Sequence, residues 1–78
     1  MDKEIIKFIR SNYNLSQREF AKMINCSFSL VALIEIGKRN VSDNIEKKIK
    51  NAFGLEAQDI ESITSIIKEI GRGMPPFS

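Results

Sequence analysis

Histidine is absent from this chain, and cysteine occurs once, as Cys26, among 78 residues. The first absence removes the commonest zinc ligand and the commonest general acid or base. A single thiol closes no internal disulfide, the serines have no neighbouring base, and there is no Gly-rich phosphate loop. No catalytic residue, metal or cofactor is therefore assigned. Long apolar runs are also missing, since none approaches the ~20 residues that cross a bilayer. The opening MDKEIIKFIR mixes acids with bases and lacks the apolar stretch and cleavage site of a signal peptide, so a soluble cytoplasmic chain with no membrane partner is expected. Net charge is small, +2. Affinity for a polyanion would thus depend on where the basic side chains sit, not on their sum.

What is present is a helical pattern. At 42% hydrophobic and 28% charged residues, the composition is that of one small globular domain, expected over residues 1–71, with RGMPPFS at 72–78 as a flexible tail. Asp2 is a good N-cap for a helix running to about Ser11, with Ile5, Ile6, Phe8 and Ile9 on one side. Ser16 caps a second helix over roughly 17–24, and Glu19 completes a capping box. Leu15 and Phe20 are spaced as a hydrophobic staple, with Ala21 and Ile24 extending the inner stripe. Asn25 suits the left-handed turn that must follow. Ser27 then caps a third helix over roughly 28–36, with Val31 and Ile34 inside, Gly37 as its stop, and Cys26 as a small buried hydrophobe at the turn.

Ser42 or Asp43 opens a fourth helix, with Asp43 and Glu46 spaced as a second capping box. Ile45, Ile49, Ala52 and Phe53 follow helical spacing up to a stop at Gly54. Lys47, Lys48 and Lys50 read first as a solvated face and secondarily as a phosphate-contacting strip. A fifth helix from about Ala57 to Gly71 carries Ile60, Ile63, Ile67 and Ile70 at spacings of 3, 4 and 3, widened by Ile66. Five isoleucines exceed one modest core face, so Ile63, Ile66, Ile67 and Ile70 are also a possible dimer seam.

Two short capped helices joined by a tight turn and closed by Gly-Lys-Arg-Asn make a helix-turn-helix layout over residues 16–36. In particular, Leu15, Ser16, Gln17, Ala21, Ser27, Ile34, Glu35, Gly37 and Lys38 resemble the motif of the Cro and C1 repressor type of regulator, the XRE family, over about residues 4–60. The resemblance implies an all-α, five-helix Cro/C1 repressor-like bundle that places its third helix in the major groove of double-stranded DNA. It further implies phosphate contacts from Gln17, with Arg18 grouped beside it, and from Lys38, Arg39 and Asn40 in the following loop. Arg10 and Glu35 match a structural ion pair of the same family. Phage or mobile-element character also rests on this resemblance. Asp43 departs from it, because an acid stands where the family bears a backbone contact.

The outer face of the third helix departs further. Base edges present hydrogen-bond donors and acceptors, yet Ser27, Phe28, Ser29, Ala32 and Leu33, followed by Ile36, offer little to pair with them and include no Arg or Lys. Three readings stay open from the residues alone. The helix reads thymine methyl groups and DNA shape. Alternatively, Phe28, Leu33 and Ile36 form an apolar patch for a protein partner, making the chain an antirepressor or co-regulator. In the third, the chain's own C-terminal helix or tail covers the patch, in an autoinhibited or swapped arrangement.

Overall fold

Each of the first four helices begins at a side-chain oxygen. In the computed structural model, which describes residues 1–73, Asp2, Ser16, Ser27 and Ser42 precede α1 (Lys3–Asn12), α2 (Gln17–Met23), α3 (Phe28–Glu35) and α4 (Asp43–Phe53). All four have extended backbone and accept from first-turn N–H groups that no carbonyl of the helix can reach. At α2 the exchange is reciprocal. Ser16 N donates to Glu19 Oε1 at 2.8 Å, and Glu19 N donates to Ser16 Oγ at 3.1 Å.

The second box, expected from Asp43 and Glu46, does not form. Ser42 is the cap, and Glu46 instead binds the Met1 amino group at 3.1 Å and Lys50 Nζ at 3.0 Å. Two cations hold a carboxylate more strongly than one neutral backbone donor does. α5 (Ala57–Gly73) opens where Glu56 N donates to Asp59 Oδ2 at 2.8 Å. It passes through Gly71, since a glycine costs a helix interior only about 1 kcal/mol. The tail expected from residue 72 therefore begins inside the helix, and residues 74–78 lie outside the described part.

Four helix ends share one device. At α4, Gly54 (φ 64°) is left-handed and Leu55 N donates to Lys50 O at 2.8 Å. Asn14 (φ 56°), Asn25 (φ 57°) and Gly37 (φ 84°) take the left-handed conformation just past α1, α2 and α3. Each time the next residue's N–H turns back onto the last turn: Leu15 to Arg10 O at 2.9 Å, Cys26 to Ala21 O at 2.8 Å, and Lys38 to Leu33 O at 2.9 Å. This double reversal is the Schellman motif. The link between α2 and α3 is thus a helix cap that runs into the next N-cap, and that makes it short and stiff.

Ile5, Ile6 and Ile9 of α1 meet Phe20, Ala21 and Ile24, Val31 and Ile34 of α3, and Ile45 and Ile49 of α4 in one buried cluster. Each fully sealed Ile or Phe contributes about 1.5–3 kcal/mol. Phe53 stacks on Phe20 with centroids 5.5 Å apart and leans against Tyr13 at 4.8 Å, fastening the end of α4 to α1 and α2. Leu15 is half-buried on this core, as its stapling role requires, and so is Cys26, which is not sealed. Ala52 points outward, since Phe53 already fills the inner position at that turn. α5 packs on α1, with Ile60, Ile63 and Ile67 partly buried against the core. Among the described residues there are five helices and no strand, and no helix is long and apolar enough to cross a membrane.

Candidate nucleic-acid interface

The orientation of α3 is set by a polar triad at its C-terminal end. Glu35 is 4% exposed. Arg10 Nε donates to its Oε2 at 2.7 Å and Arg10 Nη2 to its Oε1 at 3.0 Å, while Gln17 Nε2 donates to Oε1 at 3.0 Å. The third Arg10 nitrogen, Nη1, donates to Leu15 O at 3.0 Å. One carboxylate thereby ties the end of α1 and the first residue of α2 to α3. Burial pushes the Glu35 carboxyl up, but the bonds from Arg10 and Gln17 and the charges of Arg10 and Lys7 outweigh it and hold the group below the usual carboxylate range. The expected Arg10–Glu35 pair is present as a bidentate contact. Gln17, expected at a phosphate, spends one amide hydrogen inside the protein and keeps the other.

Opposite the core-facing Val31 and Ile34, α3 presents Phe28 at 38%, Leu33 at 37% and Ile36 at 63% exposure. Ser27 and Ser29 are exposed beside them and Ala32 is half-buried. Ser27 Oγ accepts from Leu30 N at 3.1 Å, so its hydroxyl hydrogen remains to donate outward. Within the chain, α5 lies on α1 and leaves this face open, so an autoinhibited arrangement in which that helix covers the patch is not borne out. The corresponding reading for the tail falls on residues outside the described part.

Cations flank the face at both ends. At its start, the Arg18 guanidinium lies over the Phe28 ring, 4.4 Å from the centroid. At its close, the Gly37 reversal aims an exposed Lys38, Arg39 and Asn40 away from the core, with the Lys38 and Arg39 amides anchored on Leu33 O. Lys3 joins this end from α1. Its Nζ lies 3.3 Å from the point that a Cβ on Gly37 would occupy, and Lys3, Arg39 and Asn40 share the rim of a recess of about 420 Å³. No periodicity links residue 3 to residue 39, so a sequence pattern carries no signal for that meeting. The lysine run on α4 divides. Lys50 pairs with Glu46, Lys48 Nζ donates to Asn25 O at 3.4 Å across the turn, and Lys47 is exposed.

A short first helix locked to a second by a Schellman turn, with the second helix's outer face bare and framed by basic side chains, defines a helix-turn-helix domain. The chain belongs to the helix-turn-helix family of Cro/C1 (XRE) type: the family model described as Helix-turn-helix matches residues 6–60. The chain is 34% identical over 58 residues to an uncharacterized HTH-type transcriptional regulator of Methanocaldococcus jannaschii, a match that covers 74% of this chain and 88% of that protein. No solved structure matches significantly. Membership places the chain among DNA-binding transcription regulators.

Proposed function

We propose that this protein is a sequence-specific regulator of phage or mobile-element type that inserts α3 into the major groove of double-stranded DNA and acts by occupying an operator. The observation that carries this reading is the bracketing of the α3 face by Arg18 and by Lys38–Arg39–Asn40. At 1.5 Å per residue the eight residues of α3 span roughly 12 Å. That is close to the ~12 Å width of the major groove, so Lys38 and Arg39 at the close of the helix face phosphates at the groove's edge while Arg18 stands at its start. Lys38, Arg39, Asn40 and the second amide hydrogen of Gln17 supply the phosphate contacts, and Lys3 adds a charge beside them. Ser29 and the Ser27 hydroxyl meet base edges, while Phe28, Ala32 and Leu33 meet thymine methyl groups. The protein works in the cytoplasm as a homodimer, without cofactor or catalysis. Its phage or mobile-element character is supported by the family resemblance.

Selection from random duplexes with the purified chain tests this directly, and enrichment of a short, thymine-containing motif is expected. Failure to enrich any sequence would favour the other reading, an antirepressor or co-regulator that uses Phe28, Leu33 and Ile36. The exposure of Ile36, at 63%, is the observation on its side.

A further inference from the structure

α3 carries no side chain able to make a paired contact with guanine, the commonest specific contact in the major groove. α2 supplies one. The geometry points to Arg18 as the guanine-reading residue of this protein, with Phe28 as the shelf that holds it in place; this rests on the DNA-binding reading above.

Arg18 stands in the first turn of α2, a position from which a side chain ordinarily meets the sugar-phosphate chain. Here the guanidinium is instead carried across to the first residue of α3, where it lies 4.4 Å from the Phe28 ring centroid. The N-terminal residues of the second helix are those that reach base edges. A guanidinium held over a ring spends no N–H on a hydrogen-bond acceptor there, so its donors stay free. Among the described residues, no hydrogen bond or ion pair occupies the Arg18 guanidinium. The shelf also restricts the plane of the fork before binding, so less rotamer freedom is lost when two N–H groups meet O6 and N7 of guanine. Lys38, Arg39 and Lys3 already supply charge at the other end, so Arg18 is not needed for attraction alone.

The experiment repeats the duplex selection with wild type, Arg18→Lys and Phe28→Leu, after circular dichroism has shown that both variants keep wild-type helicity and melting temperature. Arg18→Lys keeps the charge but loses the fork, whereas Phe28→Leu keeps an apolar side chain but loses the ring. Wild type is expected to enrich a motif with one invariant guanine, and both variants are expected to lose the preference at that same position. For Arg18→Lys, affinity for the wild-type motif then falls on the order of tenfold while affinity for duplexes changed at that base stays the same; Phe28→Leu, whose ring also faces thymine, is read by the loss of preference at the guanine alone. A uniform loss across all duplexes with the motif intact would make Arg18 a phosphate contact and overturn the assignment. A wild-type motif without an invariant guanine would also overturn it. Enrichment of no motif by wild type would instead remove the DNA-binding reading on which the assignment stands.

Discussion

Arg10 holds Glu35 through two hydrogen bonds, of 2.7 and 3.0 Å, across 25 residues of chain. The contact joins the first helix of the bundle to the end of α3, and it helps fix the direction in which Phe28, Ser29 and Leu33 face. Removing one partner strands the other charge in a site that is 4% exposed at Glu35 but 24% exposed at the Arg10 side chain. The partial exposure of Arg10 puts the cost near the low end of the range for broken buried pairs. Glu35→Ala is expected to lose about 3 kcal/mol in urea unfolding. Its DNA affinity should fall with the folded fraction and recover in large part once temperature is lowered enough to refold it, which marks Glu35 as a structural residue and not a DNA contact.

The same site sets a pH response. Glu35 is held below the usual carboxylate range, as are Glu19, through its bonds with the Ser16 backbone and side chain, and Glu46, through Lys50 and the Met1 amino group. As pH falls, the unfolded chain takes up these protons before the folded chain does, so folding loses its advantage progressively. Without histidine, no side chain of ordinary pKa titrates between these acids and neutrality. Unfolding free energy is expected to be flat from about pH 5.5 to 7 and to decline below about pH 5. Glu35→Gln should show a shallower decline in the same urea titrations.

If the loop grips phosphates, its two cations set the salt response. Substituting Lys38 or Arg39 by Ala is expected to lower the log-log salt slope of binding by about 0.9 each, as one released counterion requires. The enriched motif should keep its sequence, because phosphate contacts position a protein without reading bases. Fluorescence anisotropy at several salt concentrations measures both.

α5 divides its isoleucines between two environments. Ile63 and Ile67 are partly buried on the core, whereas Ile66 is 45% and Ile70 49% exposed. A two-fold seam through Ile66 and Ile70 would pair the domains on an operator with half-sites about one helical turn apart. Sedimentation at high micromolar concentration is expected to show a dimer for wild type and a monomer for the Ile66→Glu, Ile70→Glu double variant at unchanged helicity. A wild-type monomer would remove the seam.

Much of this architecture is legible in the residues, because helix caps are local. Ser16 with Glu19, Ser27, Asn25 and Gly54 announce their roles within four residues of the groups they satisfy. The capping box read at Asp43 and Glu46 fails because Glu46 meets the chain's own N-terminus, 45 residues away. Gly71 fails as a stop because its place in a packed, amphipathic helix outweighs a small propensity cost. The site is less legible for the same reason. Gln17 turns to Glu35, Arg18 to Phe28 and Lys3 to the Gly37 turn across separations of 10 to 34 residues, contacts that depend on how the helices pack.

Titration of the isotope-labelled protein with the enriched duplex, followed by amide chemical shifts, addresses most directly whether α3 and its two basic flanks meet DNA. The largest changes are expected at Arg18, Ser27–Leu33 and Lys38–Asn40, with α5 little affected. Saturating duplex that leaves those amides in place, or moves α5 instead, would contradict the account.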